Sequence, residues 1–230
     1  MDAVILTPRL KLIRVTTAER GSPELEWAHE LCTDLKASWW SIKGQAKSIE
    51  DTENSLKRSL PSDEERYRAI YAVHMILDAP TSSSDEIEPQ PSENGEKPTR
   101  FIGLVTLKSL DGGNLPLPED LTLPAADAIT TLITEIAYSF LPIGWGKGYA
   151  TESLKAVLES CKKAKEFWAP FSKVFVRALV NEGNPASQRV MEKVGMEKKG
   201  VFHWSGKPVF IAGEWREEDR LYIYAMHLLE

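Results

Sequence analysis

The sequence predicts a layered α/β (α+β) fold, and three observations carry that expectation. Segments 67–77, 101–107, 131–141 and 173–180 are rich in Val, Ile, Tyr, Phe and Thr, the composition of strands. Between some of them lie runs with apolar residues at helical spacing, so helices and strands share one core. One such run is joined to the strand before it by Trp145-Gly146-Lys147-Gly148-Tyr149-Ala150-Thr151-Glu152. A glycine-rich turn that leaves a strand and opens a helix aims several backbone N–H groups at one spot, a geometry that binds phosphate.

A chain of 230 residues can bury one sizeable core and carry insertions. Its 28 basic and 34 acidic residues give a net charge of −6, which argues against a general nucleic-acid or anionic-membrane binder. Cys32 and Cys161 have no Cys or His partner at metal-ligand spacing, so no metal is expected. No apolar run reaches the length of a membrane span, and no basic region precedes Val4-Ile5-Leu6 as in a signal peptide. These features predict a reduced, soluble, cytoplasmic protein.

Val4 to Val15 alternates as a first strand, with Leu10 and Leu12 on one face. Ser22-Pro23 opens a helix whose apolar face is Leu25, Ala28, Leu31, Cys32 and Leu35. A second helix runs from about Lys47 to Leu60, where Pro61 stops it. Tyr67 to Leu77 is the second strand. Segment 78–99 then holds four prolines, four serines and six acidic residues, and predicts a disordered insertion. Phe101 to Leu107 resumes as a strand, and Asp111-Gly112-Gly113 begins a second loop spanning 111–130. Both loops interrupt one sheet, so residues 1–230 are read as a single domain.

Thr131 to Leu141 is the fourth strand. It feeds the glycine turn and a helix from Ala150 to Ala164, with Ala150, Leu154, Val157, Leu158 and Cys161 on one face. Lys173 to Val180 is the fifth strand. A short helix from Asn184 to Val194 ends at Gly195. Gly200 to Phe210 and Leu221 to His227 form a closing antiparallel pair.

The turn fits neither of two common nucleotide motifs. Gly146-Lys147 is followed by Gly148 and not by the Ser or Thr that a Walker loop needs for Mg²⁺. The dinucleotide fingerprint fails from Gly144, where its last position is Tyr149, and from Gly146, where it is Thr151. What remains is x-Gly-x-Gly-x-Ala, with small residues at 146, 148 and 150.

In this pattern the chain resembles the GCN5-related N-acetyltransferases (the GNAT family). The carriers are Trp145-x-x-Gly148-x-Ala150, the opening Leu6-Thr7-Pro8-Arg9-Leu10-Lys11-Leu12, and the segment from Asn184 through Ser187 to Gly195-Met196. Trp145, in place of the usual Gln or Arg, resembles the branch of ribosomal-protein N-terminal acetyltransferases. The resemblance implies a mixed, mostly antiparallel sheet with helices on both faces and a splayed strand pair at the cofactor site. It implies acetyl-CoA as co-substrate, with the pyrophosphate on Trp145, Gly146, Lys147, Gly148, Tyr149, Ala150 and Thr151. The pantetheine arm would meet Phe140, Leu141, Asn184 and Ser187, and a backbone N–H within 139–141 would meet the acyl carbonyl.

Acyl transfer from a thioester to an amine needs a neutral amine, a polarised carbonyl and a proton for the departing thiolate. Glu135, a carboxylate among Ile133, Ile136 and Ala137, is the candidate base. The family's tyrosine seven residues after the motif asparagine is here Met191, so Tyr138 and Ser139 are the substitute acids. His74, His203 and His227 read as structural. Trp39, Trp40, Phe202, Trp204, Phe210 and Trp215 are candidates to line an acceptor groove. The implied acceptor is a primary amine, either a small molecule or a peptide N-terminus, attacked directly in a ternary complex by a monomer or homodimer. A cysteine-linked route is disfavoured because both cysteines fall in helices away from the carbonyl. An acyl-CoA-binding module without catalysis is the alternative; a nucleotide-binding oxidoreductase is weakened by the failed glycine registers.

Overall fold

A computed structural model describes residues 1–77, 97–110 and 130–229. The expected insertion and second loop fall on positions 78–96 and 111–129, outside the described residues. Among the described residues lie eight strands and four α-helices: β1 (Val4–Leu6), β2 (Leu10–Arg14), α1 (Pro23–Thr33), α2 (Ile49–Lys57), β3 (Arg68–Ile76), β4 (Thr99–Ser109), β5 (Thr131–Phe140), α3 (Tyr149–Lys163), β6 (Lys173–Asn181), α4 (Pro185–Val194), β7 (Glu197–Ile211) and β8 (Glu214–Leu229).

The strands form one sheet in the order β1-β2-β3-β4-β5-β6-β8-β7. Every neighbouring pair is antiparallel except β5 and β6. The sheet is mixed and mostly antiparallel, as the family resemblance implied. Helices α3 and α4 cover one face. Ile136, Phe140, Leu154, Val157, Cys161 and Val176 pack there. Helices α1 and α2 cover the other, where Leu25, Leu31, Leu56, Ile70 and Ala72 meet. In β3, Tyr71 and Val73 serve the first core and Ile70 and Ala72 the second. A strand buried on both faces needs such an unbroken apolar run.

Three expectations need correction. The single first strand is a hairpin: β1 pairs with β2, Val4 opposite Ile13, and Pro8 lies in the turn between them. Pro8 offers no backbone donor, which favours a break there. Thr99 lies in a strand and not in the expected insertion of 78–99: it pairs with Ile76, and Leu77 donates to the Pro98 carbonyl at 2.9 Å. The closing pair is longer than expected, since β7 and β8 each exceed a dozen residues.

The caps explain where three helices begin. Ser22, Ser48 and Asn184 each accept a hydrogen bond from a first-turn N–H of α1, α2 and α4. Helix α3 differs: it starts at Gly148 with no side-chain cap. Among the described residues no helix is long and apolar enough to cross a membrane.

Candidate active site

β5 and β6 pair from Thr131–Lys173 to Glu135–Arg177, and there the pairing stops. Beyond that point β5 continues to pair with β4 as far as Phe140, and β6 with β8 as far as Asn181. Two arms of the sheet therefore part company. The gap between them is the splayed pair that the resemblance implied.

The alternation of β5 decides what each arm residue can do. Leu141 donates its N–H to the Ile102 carbonyl at 2.8 Å, away from the gap. Alternate residues of an extended strand present their backbone groups to opposite edges, so the N–H groups of Phe140 and Tyr138 face the gap. This corrects the expected role of Leu141. Its N–H is engaged with β4, and its side chain is buried in the α1/α2 core. The approach of β4 to this arm is tight: a Cβ on Gly103 would stand 2.9 Å from Phe140 Cα.

Tyr138 projects to the α3/α4 side. Its phenol lies 2.7 Å from the Ser187 hydroxyl on α4, so a hydrogen bond ties the β5 arm to the helix that follows β6. Burial pushes the phenol up to about 12, and the Ser187 hydrogen bond acts against that rise. Asn184 caps α4 by accepting from Ser187 N–H at 3.1 Å. Ser139 faces the other way and donates to the Ala37 carbonyl at 3.0 Å. Tyr138 and Ser139, expected as interchangeable acids, thus stand on opposite faces of β5. Met191 is buried in the core.

The glycine turn closes the mouth of the gap. Gly146 and Gly148 have φ of 71° and 81°, values that strain any residue with a Cβ. With no cap at Gly148, the first-turn N–H groups at Tyr149, Ala150 and Thr151 are available to an anion, and the positive helix end favours one. Trp145 is half-exposed and donates its indole N–H to the Phe140 carbonyl at 2.6 Å, tying the turn to the arm. Lys147 is exposed beside these groups. The turn, the uncapped helix and the gap fit a phosphorylated thioester donor.

A brace behind the turn was not foreseen. Arg9 donates to the Lys147 carbonyl at 3.0 Å and to Glu152 Oε2 through Nε and Nη2, at 2.8 and 2.5 Å. Thr7 donates to Glu152 Oε1 at 2.6 Å. Burial alone would raise the Glu152 carboxyl; the bonds from Thr7 and Arg9 and the Arg9 charge hold it below the usual range. A carboxylate on the first turn of α3, beside its free N–H groups, is thereby neutralised. The Thr7-Pro8-Arg9 run carried part of the family resemblance in the sequence, but nothing there placed it at the site or paired it with Glu152.

Glu135 sits at the closed end of the gap. Its carboxylate lies 3.3 Å from Arg177 Nη2 and 3.6 Å from Lys108 Nζ. Two cationic partners suit a strut better than the solitary base that its apolar neighbours suggested.

On the α1/α2 side a cleft of about 1380 Å³ opens between the α1–α2 connection, α2 and β4. A smaller adjoining hollow reaches Ala137, Tyr138 and Ser139. Trp40 lines that hollow. Trp39 packs on the β7–β8 turn, where a Cβ on Gly213 would come within 2.6 Å of its ring. Phe202, Trp204, Phe210 and Trp215 belong to the β7–β8 hairpin and not to the cleft lining; Phe210 and Trp215 meet edge to face in the open. Cys161 is buried, and burial pushes it up to about 12. Cys32 differs from expectation: it lines the cleft, with burial raising its thiol.

A sequence profile described as Acetyltransferase (GNAT) domain matches residues 9–197. An 80-residue stretch is 36% identical to the uncharacterized protein YkkB of Bacillus subtilis; that match spans 34% of this chain and 42% of the relative. The fold is similar to a spermidine N-acetyltransferase from Vibrio cholerae in complex with CoA and spermine, with a TM-score of 0.56, 17% identity, and coverage of 96% and 97% of the two chains. It is also similar to a Salmonella typhimurium acetyltransferase that modifies the N-terminal serine of 50S ribosomal protein L7/L12 (TM-score 0.57, 13% identity, coverage 97% and 98%).

Proposed function

The chain belongs to the GNAT acetyltransferase family, and from that membership we propose that it is an acetyl-CoA-dependent N-acetyltransferase acting on a primary amine by direct attack in a ternary complex. The observation that carries this reading is the gap after the Glu135–Arg177 pair, with an uncapped helix N-terminus at its mouth and a cleft on its far side. A donor entering from one side and an amine from the other would meet at Tyr138.

Acetyl-CoA supplies the activated acetyl group. Tyr149, Ala150 and Thr151 N–H groups, with Lys147, would hold its pyrophosphate, and Asn184 and Ser187 would flank its pantetheine arm. The gap-facing N–H groups of Tyr138 and Phe140 are the donors for the thioester carbonyl oxygen. A C–N bond forms and the C–S bond breaks; one proton leaves the amine and one reaches the thiolate. The Tyr138 phenol, protonated at neutral pH, is the donor for that thiolate.

Among the described residues no solitary base stands in the gap, which favours an amine that is easily deprotonated. An α-amine near pKa 8 costs about 1 kcal/mol to neutralise at pH 7, a lysine side chain about 4–5 kcal/mol. We therefore place a peptide N-terminus or another low-pKa amine ahead of a lysine side chain. The test is acetyl-CoA with an amine panel, reading free CoA thiol. Transfer to at least one amine is the expected result. Tight CoA binding without transfer to any amine would instead favour the catalytically silent binding module, a reading that rests on Met191 in place of the family tyrosine.

A further inference from the structure

The cleft lining carries more basic than acidic side chains, in a chain whose net charge is −6. Lys43 of the α1–α2 connection, Arg58 at the end of α2 and Lys108 of β4 line it together. Burial lowers the Lys43 ammonium, and the charges of Arg58 and Lys108 lower it further, so the three converge. Lys43 Nζ donates to Ser55 at 3.2 Å. Among the described residues neither Lys43 nor Arg58 has a carboxylate partner. Of the other cations of the lining, Lys57 pairs with Glu53 and Arg68 with Glu65, while Lys47 gives its backbone N–H to the carboxylate of Asp51, which also lines the cleft, at 3.0 Å. The cationic surplus that remains centres on Lys43 and Arg58, beside a Lys108 that shares Glu135 with Arg177.

Like charges gathered without counter-ions destabilise a fold, and in a concave site they raise the local concentration of anions and repel polycations. Building on the acetyltransferase reading, we infer that the acceptor amine belongs to a molecule that also carries a carboxylate or phosphate, and that Lys43 and Arg58 select it. The amine would lie at Ala137–Ser139 and the anionic group at the outer end. The same chemistry would reject spermidine-like acceptors. The cleft admits both a small acid-bearing amine and the N-terminus of an acidic peptide.

The test uses the full chain with CoA bound and two matched pairs of probes. One pair is a C-terminally labelled peptide with a free N-terminal serine followed by three glutamates, and its three-lysine counterpart, read by fluorescence anisotropy. The other is 2-aminoethyl phosphate and spermidine, read by calorimetry. The anionic member of at least one pair should bind about tenfold more tightly than its cationic counterpart, with a gap that shrinks as salt rises. Which pair responds identifies the source of the anionic group. Lys43→Gln with Arg58→Gln should remove the preference, and Lys43→Glu with Arg58→Glu should invert it. CoA affinity, read in parallel, checks that both variants are folded. Equal binding within both pairs, a preference for the cationic probes, or a preference that survives Lys43→Gln/Arg58→Gln would overturn the inference. These readouts need no turnover: a chain that binds the anionic probe but acetylates no amine refutes the acetyltransferase reading and leaves the charge selection standing.

Discussion

The Tyr138 phenol and the Ser187 hydroxyl lie 2.7 Å apart, joining β5 to α4 at a height where β5 and β6 no longer pair. The contact places a protonated donor between β5 and the first turn of α4. If Tyr138 delivers a proton to the thiolate, Tyr138→Phe should lower kcat about 100-fold, with the KM for acetyl-CoA changed little. Steady-state kinetics at pH 7 to 9 would check this, and an unchanged kcat would remove Tyr138 from the chemistry.

The same phenol bears on alkaline stability. Burial raises Tyr138 and Tyr71 from an ordinary 10.0 to about 12. A group raised on folding gives stability that is complete below its unfolded value and lost as pH rises through the folded one. Stability should therefore fall between pH 10 and 12. Spectrophotometric titration should show these two phenolates appearing last, and Tyr71→Phe with Tyr138→Phe should flatten the loss.

His74 governs the acid side. It is buried against Trp27 and Phe101, its Nε2 has no hydrogen-bond partner among the described residues, and burial followed by the Lys11 charge lowers it from 6.5 to about 4. A lowered histidine gives stability present above pH 6.5 and lost as pH falls through 4. The loss should reach about 3 kcal/mol. Denaturant melts from pH 7 to 4 would measure it, and His74→Phe should make the slope shallower.

Arg9 neutralises Glu152 behind the glycine turn. Arg9→Ala exposes the helix start to an unbalanced carboxylate, so the KM for acetyl-CoA should rise about tenfold. Adding Glu152→Gln to that variant should recover part of the loss, because the repelling charge is then gone as well. A double-mutant cycle on CoA affinity reads the coupling.

Glu135→Gln separates strut from base. Loss of the carboxylate between Arg177 and Lys108 should cost about 2 kcal/mol, roughly 4–8 °C in Tm. Acetyl transfer by the folded fraction should persist. A loss of kcat beyond about 100-fold with an unchanged Tm would restore Glu135 as the base.

Local signals were legible in the sequence because they rest on local physics. Ser22 and Asn184 showed as helix starts, Gly195 as a helix end, and Leu154, Val157, Leu158 and Cys161 as one apolar helix face, since each depends on residues within a few turns. The glycine turn was legible for the same reason: Gly146 and Gly148 adopt the left-handed backbone that glycine tolerates. The order of these motifs along the chain was enough to point to the family.

Tertiary structure decided what each site residue touches. Glu135 looked solitary among apolar neighbours in the chain, but the parallel register sets it opposite Arg177 and the antiparallel register opposite Lys108. Leu141 looked available until β4 took its N–H. Tyr138 and Ser139, adjacent in sequence, were assigned opposite faces by the pleat. Arg9 met Glu152 across 143 positions, and Lys43 met Arg58 and Lys108 in one cleft. Sequence patterning fixes which face of an element is apolar. Pairing register, and the point where β5 leaves β6, fix which polar groups converge, and these depend on contacts far apart in the chain.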